Sequence, residues 1–192
     1  MRDLNQKLKR WGLGILAGSI LLSSSVSSFA QSPADPKKVL RYVFPVAETG
    51  FDPAGVHDLY SAHVNGSIFE TLFTYDYLAS PAKLVPRTAV ALPEVSADGL
   101  TYTIRLQKGI YFAADPVFKG KKRELTSADY VYTFKRLLDP SLRSPNSWLL
   151  DGRILGMDTL LKQAQKTGKF NYDQSVAGLQ TPDRYTLVIR LT

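Results

Sequence analysis

Apolar and polar positions alternate most clearly in two stretches of the chain. In "SADGLTYTIRLQKGIYF" a turn at Asp98-Gly99 is followed by Tyr102, Ile104 and Leu106 alternating with Thr101, Thr103 and Arg105. In "VAGLQTPDRYTLVIRLT" Tyr185, Leu187, Ile189 and Leu191 alternate with Thr186, Val188 and Arg190. A period of two predicts a strand with one buried face in each. "VLRYVFPV", Val39 to Val46, is rich in β-branched and aromatic residues and predicts a third strand. The helical period appears elsewhere. After "LTSAD", Val131, Phe134, Leu137 and Leu138 fall on one face, leaving Tyr130, Tyr132, Lys135 and Arg136 off it. Thr126 stands three residues before Asp129, the pattern of a capping box or acidic first turn. "LDP" ends this helix, because the residue before Pro140 resists helical angles. "MDTLLKQAQKTG", Met157 to Gly168, predicts a second helix closed by its glycine. A third is expected from about Asp58 to Phe73, with Leu59, Val64, Ile68, Phe69 and Leu72 approximating one face. "AETGFDPAG" is a turn-forming loop, and "YDYLASPAKLVPRTAVALPEVS" is loop with short extended pieces broken by Pro81, Pro86 and Pro93. The mixture of strands and helices predicts a mixed α/β fold.

The first 30 residues follow another logic. Arg2, Lys7, Lys9 and Arg10 precede an apolar and small-residue run from Gly12 to Leu22, and "SSSVSSFA" ends it with Ser28 and Ala30. A positive start, a short apolar core and a small-residue exit describe a secretory signal peptide cut between Ala30 and Gln31. The run, about 11 residues, is too short for a bilayer span of roughly 20 helical residues. The product is expected in a bacterial periplasm, with residues 31–38 a mobile lead-in.

Removing that segment changes the charge. The whole chain carries +7, but residues 1–30 hold four basic and one acidic residue, leaving 20 basic and 16 acidic residues, a net of +4. A nucleic-acid partner, which needs a concentrated basic surface, is therefore not expected. "KGKKRE", Lys119 to Glu124, reads as a solvated loop entering a capped helix. There is no cysteine, so no disulfide, thiolate nucleophile, cysteine metal site or lipid-bearing N-terminal cysteine is available.

Catalytic and metal signatures are missing as well. His57 and His63 are the only histidines, and a spacing of six sets them on different sides of a helix rather than in an i, i+4 metal pair. No nucleophile elbow, Walker loop or dinucleotide fingerprint follows residue 30, and the carboxylates are scattered. No enzyme, cofactor or metal role is expected.

Several segments, taken in order, resemble one family: extracellular solute-binding protein family 5, the substrate-binding proteins of peptide-type ABC importers. They are the first strand followed by "FDP", then "IFETLFTYD", then "LVPRTAVALPEVSADGLTYTIRLQKGIYF", then "LTSADYVYTFKRLLDP", and finally "DRYTLVIRL". One departure is local. Where the family has a short "Phe-x-Asp-Gly" link before the "Leu-Thr-x-x-Asp" helix, this chain has the longer, basic "FAADPVFKGKKRE". The other is length, because members are usually several hundred residues longer.

The resemblance implies a two-lobed binding protein with a small accessory domain, its ligand held between lobes that close by hinge motion. On that pattern residues 39–57 open the first lobe, residues 58–192 are the accessory domain and the second lobe is missing, so the chain reads as an N-terminal piece. The implied function is a periplasmic component that binds peptides or similar small solutes and delivers them to permease subunits, working as a monomer. A remnant or interaction domain that binds no solute is the alternative. Ala47, Glu48, Thr49, Gly50 and Phe51 occupy the position that lines the cleft in the family, and Tyr130 or Tyr132 is expected to supply an aromatic there.

Overall fold

A computed structural model describes residues 38–39 and 41–192 of the chain. The predicted cleavage site at Ala30 and Gln31, the signal segment and most of the lead-in lie outside the described residues. Residues Phe44–Thr192 form one compact unit.

Four strands make its main sheet. They are β3 (Glu94–Val95), β4 (Thr101–Arg105), β5 (Leu179–Asp183) and β6 (Thr186–Arg190), in the antiparallel order β3-β4-β6-β5. The two strands with the clearest alternation therefore pair with each other, from Thr101 opposite Arg190 to Arg105 opposite Thr186. Ile104 and Leu187 face each other across this ladder and are buried, as the period of two requires. Thr186 and Val188, expected on the outward face, are buried too. Both faces of β6 are covered over Thr186–Val188, so alternation there marks direction more than exposure. A small second sheet pairs β1 (Phe73–Tyr75) with β2 (Leu84–Pro86).

Three helices accompany the sheets: α1 (Leu59–Ile68), α2 (Ser127–Leu138) and α3 (Met157–Thr167). The expected box starts α2: the Thr126 amide donates to Asp129 Oδ2 at 2.8 Å. Gly168, at φ 70°, closes α3, and its amide donates to the Ala164 carbonyl. Two buried clusters share α2 as a wall. One gathers Leu138, Ile154, Met157, Leu160 and Phe170, the other Ala89, Ile104, Leu106 and Leu187. Val131 and Phe134 of α2 pack against both.

Three expectations need correction. Residues 41–46 form no strand. A strand exists through its ladder, and none of the described residues provides one there; Pro45, moreover, has no amide to donate. The Phe44 ring instead packs on Tyr60 of α1 with centroids 5.3 Å apart. Second, α1 ends at Ile68, because Phe69 is already extended and leads toward β1. Its buried positions are Ser61 and Asn65, four apart on one face, whereas Leu59, Ile68 and Phe69 are exposed. Third, Lys135 of α2 is buried. Its ammonium donates to the Tyr172 and Gln174 carbonyls, each at 2.7 Å, while its stem lies in the protein.

Candidate functional site

The loop from Ala47 to Val56 is short of regular structure but well anchored. Asp58 caps α1 by accepting the Ser61 amide at 2.8 Å. The Thr49 hydroxyl donates to the other oxygen of the same carboxylate at 2.5 Å, and the Thr49 amide donates to Ser61 Oγ at 3.0 Å. These donors, the Ser61 amide first, hold the Asp58 carboxyl far below the ordinary range. The polar face of α1 thus serves the loop: a small hydroxyl at Ser61 lets the chain approach and gives its amide a partner. Beside it, Asn65 Oδ1 is buried with no hydrogen bond among the described residues.

The second half of the loop is fastened to the rest of the unit. Asp52 receives both terminal nitrogens of Arg136, at 2.9 and 2.6 Å, and also accepts the Ala54 amide. The Arg136 hydrogen bonds hold the Asp52 carboxyl below its ordinary range, and Asp52 raises the guanidinium in return. Asn146 Nδ2 donates to the Val56 carbonyl at 2.9 Å, and Ala54 and Val56 are buried. The first half stays open. Ala47, Glu48 and Phe51 are exposed, Phe51 by 47%, and Gly50 is half-buried. Apart from the Thr49 amide, the main-chain groups of residues 47–51 make no hydrogen bond to described residues. An anchored loop with unspent amides and carbonyls is suited to pairing with an extended main chain.

The two candidate tyrosines part company. Tyr132 is 52% exposed, and its ring lies 5.1 Å from that of Tyr172. The Tyr172 hydroxyl donates to Asp139 Oδ2 at 2.6 Å. Burial raises the Tyr172 phenol well above its ordinary range, and the hydrogen bond to Asp139 adds to it. Burial opposes the charge on Asp139, but hydrogen bonds from Tyr172 and Ser141 outweigh it and lower that carboxyl. Through its ring contact with Tyr172, Tyr132 borders the Tyr172–Asp139 pair, next to Arg136 on α2. Tyr130 does not. Its hydroxyl donates to Thr88 Oγ1 at 2.5 Å, and the fully buried Thr88 passes its own proton to the Thr71 carbonyl at 3.0 Å. Tyr130 therefore ties α2 to the β1–β2 region and borders a cavity of about 380 Å³ with Ile68, Phe69, Tyr111 and Phe112.

Sequence reasoning missed Arg136, Tyr172 and Asn146. An ion pair across 84 residues leaves no local signal, and the only hint was the Asp-Pro pair that marks the Asp52 turn. His57 and His63 are both exposed, and the described residues contain no group of three His, Asp or Glu that could hold a metal ion.

The family described as bacterial extracellular solute-binding proteins, family 5, matches residues 83–192 in its middle segment. This chain belongs to that family. It is 34% identical over 132 residues to di/tripeptide-binding protein 2 of Pseudomonas aeruginosa, covering 63% of this chain and 22% of that protein. It is 26% identical over 174 residues to the dipeptide-binding protein of Lactococcus lactis, covering 91% of this chain and 28% of that one. Among solved structures, clavulanic acid biosynthesis oligopeptide binding protein 2 matches with a TM-score of 0.60 at 25% identity, over 76% of this chain and 25% of that one. The chain thus spans about a quarter of the length of the relatives it matches. Members of the family are binding proteins, and the family is an extracellular one. No helix among the described residues is long and apolar enough to cross a membrane.

Proposed function

We propose that this chain supplies the opening of the first lobe and the accessory domain of a periplasmic ABC-importer component that binds peptides or similar small solutes. Residues 39–57 belong to the lobe and residues 58–192 to the accessory domain. Ala47 to Phe51 line the solute cleft, with Tyr132 at its edge, and permease subunits receive the loaded protein. The observation that carries this reading is the loop itself: Ala47, Glu48, Thr49 and Phe51 are exposed, yet the loop is fixed by Asp58, Ser61 and Arg136. Pre-ordering a main-chain docking edge lowers the entropic cost of binding an extended peptide. The names of the relatives, which speak of di- and tripeptides, support a short peptide as the solute. Tyr130, by contrast, has its hydroxyl engaged inside the unit and is a weaker contact candidate.

The test is a calorimetric titration of the native gene product with a tripeptide, repeated on Phe51→Ala. Losing the half-exposed ring from the cleft is expected to weaken binding about tenfold, the scale of 1–2 kcal/mol for burying such a side chain. Unchanged affinity in the variant would remove the loop from the site.

A further inference from the structure

The net positive charge of residues 31–192 is concentrated in one hairpin-like loop. From Lys108 to Arg123 there are five cations (Lys108, Lys119, Lys121, Lys122 and Arg123) against a single acid, Asp115. That excess of four equals the whole excess of residues 31–192, so the remainder of that stretch is balanced. The loop is the segment in which this chain departs from the shorter link of its family.

Its geometry explains why the charge stays unneutralised. Tyr111 bridges to Glu124, and the Phe112 amide donates to the Arg123 carbonyl at 2.9 Å, so the two arms of the loop are held together. Glu124, at the base, is committed to the Gly109 amide, Arg184 and the Tyr185 hydroxyl. Asp129 takes Arg123. Asp115 accepts the Val117 amide at 2.8 Å, which starts a single turn over Pro116–Phe118. Lys119, at φ 50°, reverses the chain after that turn. Among the described residues no carboxylate lies within ion-pair distance of Lys119, Lys121 or Lys122.

Apolar surface accompanies the charge. Val117 at the tip is 71% exposed, and Tyr111 and Phe112 are exposed with Lys122 and Arg123 over their rings at 5.8 and 4.3 Å. An acidic protein surface would satisfy the lysines alone. An exposed valine beside proline, and aromatics each topped by a cation, fit a boundary that is anionic outside and apolar beneath. We propose that the loop tip, Pro116 to Lys122, docks on an anionic phospholipid bilayer, with Val117 entering the headgroup boundary and Lys119, Lys121 and Lys122 facing lipid phosphates. Each lysine near an anionic surface favours association by about fivefold, so the three together contribute on the order of a hundredfold. The attachment is reversible and falls with salt.

The absence of cysteine gives a site-specific test. The full chain carrying Val117→Cys is labelled with a neutral environment-sensitive fluorophore, and a second chain carries the label at the exposed Lys166→Cys on α3. Vesicles of phosphatidylglycerol and phosphatidylcholine are added, then vesicles of phosphatidylcholine alone. The expected result is a blue shift at position 117 with anionic vesicles only and none at position 166. Adding Lys119→Ser, Lys121→Ser and Lys122→Ser is expected to raise the lipid concentration for half-maximal shift about a hundredfold. Because the label reports one position, any lipid affinity elsewhere in the chain does not enter the reading. No shift at 117, an equal shift at 166, or a triple variant that responds like its parent each overturns the proposal; the first result, with the fold intact, leaves the basic loop to an acidic protein surface.

Discussion

Arg136 holds Asp52 through two hydrogen bonds across 84 residues of sequence, and this bond fixes the candidate cleft loop to the long helix of the unit. It is an intermediate case in energy, since the arginine side chain is 28% exposed and the aspartate 50%. Exposed pairs contribute about 0.2–1 kcal/mol, so Arg136→Ala is expected to cost global stability about 1 kcal/mol at most. The local effect is larger. Amide exchange at Ala54, whose N–H rests on the same carboxylate, should accelerate while exchange in β4 and β6 stays protected. Parallel acceleration everywhere would mean that the pair supports the whole unit instead of the loop.

The pH dependence of that bond has a defined sign. The folded Asp52 carboxyl lies below its ordinary value, chiefly because of Arg136. Its contribution is therefore complete above the ordinary carboxylate range and is lost as pH falls through the folded value. Asp52→Asn is expected to remove this acid-sensitive contribution, so that the stability of wild type and variant converges at low pH. Chemical denaturation at neutral and acid pH reads the difference.

At the far end of the same cluster the sign reverses. The Tyr172 phenol is raised by burial and by Asp139, so its proton is held more tightly in the folded protein. That stability is present below the ordinary tyrosine range and is lost as pH rises toward the folded value. Tyr172→Phe should cost about 1 kcal/mol at neutral pH, the worth of one hydrogen bond, and should flatten the alkaline decline. It should also raise the Asp139 carboxyl, which a carboxylate-resolved NMR titration would show.

Gly178 is expected to be the least replaceable glycine for packing reasons. A Cβ there would meet the Arg190 carbonyl oxygen, the Leu155 nitrogen and Ile154 Cγ2, each at 2.7 Å. Two of those atoms are backbone and cannot rotate away. Gly178→Ala should lower stability by about 1–3 kcal/mol, as overpacking does, in a urea titration. At Gly168, open space surrounds the same atom and only the left-handed φ of 70° resists, so Gly168→Ala should cost about 1 kcal/mol.

The basic loop separates charge from fold. Lys119→Ser, Lys121→Ser and Lys122→Ser together should change stability by less than about 0.5 kcal/mol, since none pairs with a carboxylate among the described residues. Adding Arg123→Ser should cost a further 0.5–1 kcal/mol or about that, because Arg123 pairs with Asp129 in the first turn of α2 and covers Phe112. Thermal melts of the triple and quadruple variants distinguish the two effects.

The parts of this fold legible in the sequence are those whose signals are local. Alternation around Ile104 and Leu187 found the two paired strands, and the Thr126–Asp129 spacing found the start of α2. Reading failed where a partner outside the window decides. Val39 to Val46 has the composition of a strand, yet residues 41–46 are not in one, because composition alone does not supply a ladder. The apolar positions of α1 suggested a buried face, yet Ser61 and Asn65 are the ones turned inward, because the loop at Thr49 needs a polar partner. Lys135 lies off the apolar face of α2 in sequence, yet it is buried because two carbonyls from the segment after α3 accept its ammonium. The loop at Ala47 to Phe51 came from family resemblance; its anchors, Arg136 and Asn146, came only from the fold.

The central claim is that Ala47 to Phe51 line the solute site. The most direct measurement is photo-crosslinking of a diazirine-bearing dipeptide to the native gene product, with the attached residues mapped by mass spectrometry and unlabelled dipeptide as competitor. The account predicts competed crosslinks within residues 47–51, with Tyr132 as the next position reached. Competed crosslinks that fall elsewhere, with residues 47–51 untouched, would contradict it.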